Sequence, residues 1–250
     1  MPVPPSFEAR LIGARPLSPS VRGLSFERVD GAAVPFAAGQ WVNLVLPLPD
    51  GELRRAYSIA SPPDSSPRFD LAVTHVKTGP GSSYLHGLEP GARLWAEGPQ
   101  GFFTRPLAGA APSLFVGTGT GVTPLRSMIH DALAHGGPTP LSLLFGVRTE
   151  NDILYGEELL AIPREHPHVR VEVTLSQPGD AWTGKRGYVQ LHVRELYEEL
   201  AARATGAGRP LAGAPHVFVC GLERMVGSVR EVLRKGMGLP RTSVHSERYD

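Results

Sequence analysis

Up to about residue 105, apolar side chains recur in short runs with a period of two. In QWVNLVLPL, residues 40–48, Val42, Leu44 and Leu46 fall on one face of an extended chain. VRGLSFERV, RFDLAVTHV and ARLWAEG repeat the type, separated by Gly, Pro and Asp turn signals. Regularly spaced short strands predict an N-terminal antiparallel β-barrel. From about residue 113 the pattern changes. SLFVGT, LSLLFGV, VRVEVTLS and HVFVCG are continuous apolar strands, as expected of a sheet covered on both faces. Helical spacing lies between several of them. Leu125, Met128, Ile129 and Leu133 share one face, which Gly136-Gly137 ends; Val193, Leu196, Tyr197 and Leu200 form a second, and Met225, Val229, Val232 and Leu233 a third. Strand alternating with helix predicts a C-terminal α/β domain built on a doubly wound parallel sheet. The join falls in RPLAGAAPS, residues 105–113, which divides the chain into domains at 1–108 and 109–250.

Composition narrows the functional classes. A chain of 250 residues can bury two cores. Lys plus Arg number 25 against 24 Asp plus Glu, so there is no broadly basic surface of the kind that grips nucleic acid. Cys220 is the single cysteine, so no intrachain disulfide and no Cys-built zinc or iron–sulfur centre can form within the chain. His166 and His168, flanking Pro167, have no convincing metal-site partners, and no metal is expected. MPVPPSFEARL lacks the basic stretch and apolar run of a secretory signal, and no apolar run is long enough to cross a bilayer. The expectation is a cytoplasmic protein without membrane insertion.

Two stretches carry chemistry that a core does not need. RRAYSIAS, residues 54–61, sets a cation, an aromatic ring and a hydroxyl within four residues, Arg55 to Ser58, before a stop at Ser61-Pro62-Pro63. A ligand with a phosphate, a flat ring and a polar ring edge would use all three. By strict alternation Arg55 and Tyr57 share a face while Ser58 points the other way. One ligand meets all three only if the strand bends near Ser58 or the ligand wraps the strand end. The second stretch, FVGTGTGVTP, joins a strand to a helix through Gly117, Thr118, Gly119, Thr120 and Gly121. Glycines let backbone approach a phosphate, and Thr123 and Pro124 suit an N-cap and a first helical position. The helix dipole there is worth roughly 0.3–1 kcal/mol to an anion. The turn is neither a P-loop, lacking Gly-Lys-Ser/Thr, nor G-x-G-x-x-G, and the next strand runs into Arg148 rather than an acidic residue.

In order along the chain, FAAGQW (36–41), Arg55-Ala56-Tyr57-Ser58, GPGSSYL (79–85), GPQGFF (98–103), GTGTGVTP (117–124), Phe145-Gly146-Val147-Arg148, Cys220-Gly221 with Met225, and Glu247-Arg248-Tyr249 resemble the ferredoxin–NADP reductase family of flavoproteins. The resemblance covers nearly the whole chain. It implies a flavin-binding barrel, an NAD(P)-binding α/β domain, and a hydride passing between nicotinamide and FAD in the cleft between them. Electrons would leave singly for a separate acceptor, a ferredoxin-like protein or an oxygenase component. Two other readings stay open: a free-standing NAD(P)H flavin or quinone reductase, and a flavin-bearing electron-transfer subunit without independent turnover.

The resemblance also implies roles. Arg55 would pair with the flavin phosphate, a charge-assisted bond worth roughly 1.5–3 kcal/mol. Tyr57 would pack on the flavin ring, with Ala56 beside it, and Ser58 would bond the ring near N5. Pro80, Gly81, Ser82 and Ser83 would hold the pyrophosphate, with the Ser82 hydroxyl taking part, and His75 would touch the ribityl chain or ring edge from its strand. On the nucleotide side, the resemblance places Gly117, Thr118, Gly119 and Thr120 in the turn, Arg148 at a phosphate, and Cys220, Gly221 and Met225 beside the nicotinamide. Glu247 would lie near its reacting carbon. Ser58, Cys220 and Glu247 are thus the implied catalytic set. After the third strand the chain reads Ser176-Gln177, where NADPH-preferring members often carry Ser-Arg; Lys185 and Arg186 are the alternative cations. NADPH is slightly favoured and NADH stays open. FAD is the implied flavin. FMN stays open because the sequence ends at Asp250 without the extra aromatic that some bacterial members fold over the adenosine part. A monomer is expected.

Overall fold

The computed structural model describes residues 4–107, 111–135, 137–205 and 213–249. The expected join at 105–113 falls partly outside the described residues, as does Gly136. Strands β1 (Ser6–Ser18), β2 (Val21–Arg28), β3 (Trp41–Leu48), β4 (Gly51–Ser58), β5 (Arg68–Thr74) and β6 (Arg93–Gln100) form one antiparallel sheet in the order β4-β3-β6-β1-β2-β5. Their period-two positions supply its interior. Val42, Leu44 and Leu46 of β3 are fully buried, among Phe26, Phe69, Leu71 and Ala96, and the Phe26 and Phe69 rings stack at 5.5 Å. The sheet closes into a barrel just past β4, where the Ala60 N–H donates to the Asp70 carbonyl of β5 at 2.8 Å. Helix α1 (Pro80–His86) sets Leu85 into the same core.

Strands β7 (Ser113–Thr118), β8 (Leu141–Val147), β9 (Val169–Leu175), β10 (Lys185–Arg186), β11 (His216–Leu222) and β12 (Val244–Tyr249) form the second sheet, parallel throughout, in the order β10-β9-β8-β7-β11-β12. Its first three strands grow outward on one side of β7 and the later ones on the other, so a switch point lies between β7 and β11. Helices α2 (Val122–His135) and α3 (Gly156–Glu165) cover the face that holds Phe115 and Phe145. Helices α4 (Val193–Thr205) and α5 (Glu223–Arg230) cover Leu114, Val116 and Val219 on the other. Val21, Ala38, Ala72 and Phe103 of the barrel join the cluster of Met128 and Phe218, so the two domains share an apolar seam.

The strands read from the sequence agree with β2 to β9 and β11, and the three helical faces with α2, α4 and α5, the last running on into a π-helical turn at Glu231–Gly236. Three local expectations need correction. Thr123 is not an N-cap: a 3₁₀ turn, Gly119–Gly121, runs straight into α2 at Val122, and the Thr123 hydroxyl donates back to the Thr120 carbonyl at 2.6 Å. His75 lies one residue past the end of β5, not on it. Strand β1 had not been identified because bulges between Leu11 and Gly13 and between Pro16 and Ser18 interrupt its alternation.

Candidate active site between the domains

Across the β3–β4 ladder Arg55 faces Leu44, Tyr57 faces Val42 and Ser58 faces Trp41. The register runs unshifted to Ser58, so β4 does not bulge there. Opposed residues share a face, so Arg55 and Tyr57 spring from the barrel's inner side and Ser58 from the other. Arg55 is exposed, as is Ala56 on the opposite face, while Tyr57 lies half-buried against the barrel core. Burial pushes the Tyr57 hydroxyl up to about 12 despite the nearby Arg55 charge. Arg55 has no carboxylate partner among the described residues; its Nη1 donates to the Arg54 carbonyl at 2.9 Å. The start of α1 lies against its stem: a Cβ built on Gly81 would meet Arg55 Cγ at 3.3 Å and Leu53 Cδ2 at 3.2 Å. An unpaired guanidinium beside the exposed residues Pro80 and Ser83 and the backbone of Gly81 fits a flavin phosphate. The Ser82 hydroxyl does not join them. It is turned inward, accepting from the Val76 N–H at 3.0 Å and donating to the Gly79 carbonyl at 3.0 Å, so only backbone is left to face a ligand. His75 is exposed, its ring 4.9 Å from that of His86.

Ser58 meets the second domain. It is 7% exposed, donates to Glu247 Oε2 at 3.2 Å and accepts from the Tyr249 hydroxyl at 2.7 Å. Glu247 and Tyr249 both come from β12, two residues apart, and so stand on one face. Burial raises the Glu247 carboxyl to about 7, against the Ser58 hydrogen bond, which lowers it. Burial likewise drives the Tyr249 hydroxyl well above its usual range. That hydroxyl is 3.3 Å from Thr123 Oγ1 of α2. Cys220 pairs with Glu247 on one side and Gly117 on the other, and is fully buried. Burial pushes its thiol far up, so it is not a thiolate nucleophile; it forms the floor of the site beside Tyr249.

The nucleotide side is assembled from the carboxyl ends of β7, β8, β9 and β11. Gly121 packs on the β11 backbone: a Cβ there would come within 2.3 Å of the Cys220 carbonyl oxygen. Gly221 has φ +152, and a Cβ on it would strike Thr118 Oγ1 at 2.5 Å and Met225 Cε at 2.6 Å. Space is open around Gly119, where nothing lies within 4 Å of a built Cβ. Thr120 Oγ1 is 3.4 Å from Thr74 Oγ1 of the barrel, which brings the turn to the domain seam. This close backbone approach with an open glycine at the switch point fits a dinucleotide. Arg148 is exposed at the end of β8, and Ser176 follows β9, its N–H on the Val147 carbonyl at 3.0 Å. The two candidate cations differ. Lys185 Nζ is paired with Glu195 at 2.8 Å. Arg186 donates through Nη2 to the Trp182 carbonyl at 2.8 Å and has no carboxylate partner among the described residues.

Ser58, Glu247 and Cys220 therefore converge, as do Gly117 to Thr120 with Gly221 and Met225. Arg55, Tyr57 and the α1 start form a second group on the same rim. Arg148, Ser176 and Arg186 stand apart at the far strand ends. Tyr249 and Thr123 had not been picked out as site residues; the polar Glu247-Arg248-Tyr249 ending of an otherwise apolar fold was the signal for Tyr249. Two residues beyond Arg186 the ring of Tyr188 is 64% exposed. Among the described residues no three His, Cys, Asp or Glu side chains are placed to hold a metal, and no helix is long and apolar enough to cross a membrane.

A barrel with an unpaired arginine and a ring platform at its rim, facing the switch point of a parallel sheet, defines a two-domain flavin- and nicotinamide-nucleotide-dependent oxidoreductase. Residues 8–104 match the family described as "Oxidoreductase FAD-binding domain" and residues 115–231 the "Oxidoreductase NAD-binding domain". A Sorangium cellulosum protein named Ferredoxin--NADP reductase B is 62% identical over 98% of both chains. The chain belongs to the ferredoxin–NADP reductase family, and it is an FAD- and NAD(P)-binding oxidoreductase. The reductase component of a Pseudomonas phenol 2-monooxygenase is 32% identical over 88% of this chain, which spans 59% of that protein. The ferredoxin reductase in carbazole 1,9a-dioxygenase shares the fold, with a TM-score of 0.81 at 24% identity, covering 100% of this chain and 70% of its own.

Proposed function

We propose that this protein takes a hydride from NADPH onto FAD and delivers electrons singly to a ferredoxin-like protein, as a cytoplasmic monomer with domains at 1–108 and 109–250. The carrying observation is the contact of Ser58 with Glu247 and Tyr249 across the seam. It joins the flavin-side strand to the nucleotide-side sheet at one hydroxyl. When bound, the flavin supplies the ring nitrogen that accepts the hydride and the capacity to part with electrons one at a time. The chain's own residues bind, orient and hold protons. Arg55 and the α1 backbone grip the phosphates, Tyr57 supports the ring, and Ser58 presents a hydroxyl whose partners both come from β12. Glu247, whose carboxyl burial raises to about 7, stands beside Ser58 Oγ as a group that can take or give a proton near neutral pH. Cys220, Gly221 and Met225 shape the apolar floor on which a nicotinamide lies.

The name of the Sorangium relative and an Arg186 without a carboxylate partner among the described residues support NADPH. Arg186 and Arg148 would take the nucleotide's phosphates, Ser176 its ribose side, and the exposed Tyr188 ring its adenine. Steady-state reduction of a one-electron dye by NADPH and by NADH tests this reading. The parent is expected to turn over with NADPH, and Arg186→Gln to raise half-saturation for NADPH by roughly tenfold or more, leaving NADH unchanged. Equal loss with both nucleotides would take Arg186 out of the 2′-phosphate site.

A further inference from the structure

Helix α2 carries the nucleotide turn at its N-terminus and lies along the residues that follow Ser58. Its polar positions Thr123, Arg126, Ser127 and His130 recur at helical spacing and face the seam. Thr123 touches Tyr249, which bonds Ser58. One turn on, Arg126 Nη1 donates to the Ala60 carbonyl at 2.6 Å and Ser127 Oγ to the Ser61 carbonyl at 2.7 Å. Two direct contacts thus run along residues 60 and 61, and a third reaches Ser58 through Tyr249. Arg126 is itself held from behind. Its Nε and Nη2 fork onto Glu158 of α3 at 2.7 and 2.8 Å, and its guanidinium lies 4.6 Å over the Tyr155 ring. Glu158 also binds His130 Nε2 at 2.6 Å. Although burial pushes the Glu158 carboxyl up, the hydrogen bonds from His130 and Arg126 outweigh it and hold the group at about 2, so the fork persists at working pH. Tyr155 sits at φ +55, a left-handed conformation that is rare for a bulky residue and costs backbone strain. That strain places its ring beneath Arg126.

We propose that Arg126 and Ser127 are positioning residues for hydride transfer, fixing the register of α2 against residues 58–61 and so the gap between the nicotinamide and the flavin. The proposal rests on the function proposed above. Neither residue touches the flavin's own supports, which lie within the barrel at Arg55, Tyr57 and α1, and neither lies at Arg148 or Arg186. A slip of the helix by a fraction of its rise therefore alters the gap while leaving both cofactors bound. Misplacement by about 1 Å at a reacting centre can cost roughly 100-fold in rate. A domain clamp that only stabilised the fold would lower the melting temperature and leave the chemical step alone.

The test is anaerobic stopped-flow reduction of the flavin-loaded protein by NADPH and by its deuterated form, for the parent, Arg126→Gln, Arg126→Lys and Ser127→Ala. Arg126→Gln and Ser127→Ala are expected to lower the limiting reduction rate by roughly 10- to 100-fold, to raise the primary isotope effect, and to leave flavin content and NADPH half-saturation within about twofold. Arg126→Lys, which keeps one donor, falls between. Limiting rates within about twofold of the parent in both Arg126→Gln and Ser127→Ala would overturn the proposal, whatever their melting temperatures. Should Arg126→Gln fail to fold, Ser127→Ala, which leaves the Glu158 fork intact, decides. A parent that NADPH does not reduce would instead refute the function, and hydrogen exchange across residues 58–61 would then read the clamp: faster exchange in Ser127→Ala supports it and unchanged exchange overturns it.

Discussion

Ser58 has one hydroxyl and two partners, and the chemistry of the seam passes through it. It accepts from Tyr249 and donates to Glu247, so a flavin ring atom that accepts from Ser58 must take the place of Glu247. Ser58→Ala is expected to slow flavin reduction by roughly 10- to 100-fold while leaving flavin affinity nearly intact. Tyr57→Ala does the reverse, since a packed ring is worth about 0.5–1.5 kcal/mol beyond its burial. Rapid reduction traces together with flavin titrations separate the two; a Ser58→Ala trace matching the parent would remove Ser58 from the ring edge. Glu247 predicts a pH dependence whose sign follows from its raised carboxyl. A group that holds its proton more tightly when folded contributes fully below its unfolded value of 4.5, and that contribution is lost as pH rises through about 7. In flavin-free protein, stability relative to Glu247→Gln should therefore fall between those limits and level off above. Urea melts of both proteins across this range check it, and parallel curves would contradict the assignment.

At the scale of elements, the site is made by strand ends rather than by strands. The β11 end is shaped by Gly221, whose φ of +152 and contacts with Thr118 and Met225 leave no room for a side chain. Gly221→Ala is expected to destabilise the protein by roughly 1–3 kcal/mol and to weaken nucleotide binding more than flavin binding, measured by urea midpoints and nucleotide titration. Most elements were legible in the sequence because period-two runs and buried apolar strands are strong signals. The exceptions have physical causes. Strand β1 is bulged, α3 carries Pro163 near its end, and β12 mixes His245, Ser246, Glu247 and Arg248 into a strand that its neighbours and the seam, not its own composition, hold in place. Among candidate site residues, types and spacing single out Arg55, Tyr57, Ser58 and the glycine turn. They did not reveal that Ser82 is spent on its own loop or that Lys185 pairs with Glu195, because a hydroxyl or ammonium finds such partners only in three dimensions. Nor did the sequence say where the two faces of β4 lead; in the fold Arg55 is exposed on one, while Ser58 on the other meets Glu247 and Tyr249 of β12.

For the molecule as a whole, the two domains are a flavin holder and a nucleotide holder whose value lies in their alignment. The apolar seam of Phe103, Met128 and Phe218 gives them adhesion without direction. The directional contacts, Ser58 with β12 and Ala60 and Ser61 with α2, give them register. The central claim is that this register brings a nicotinamide nucleotide onto a bound flavin. The most direct measurement is anaerobic mixing of the purified protein with NADPH, following the flavin's visible absorbance and identifying the flavin released on denaturation. The account predicts a yellow protein that releases FAD and bleaches in a fast phase on adding NADPH. A protein that binds no flavin, or one that stays yellow with NADPH and NADH alike, would contradict it.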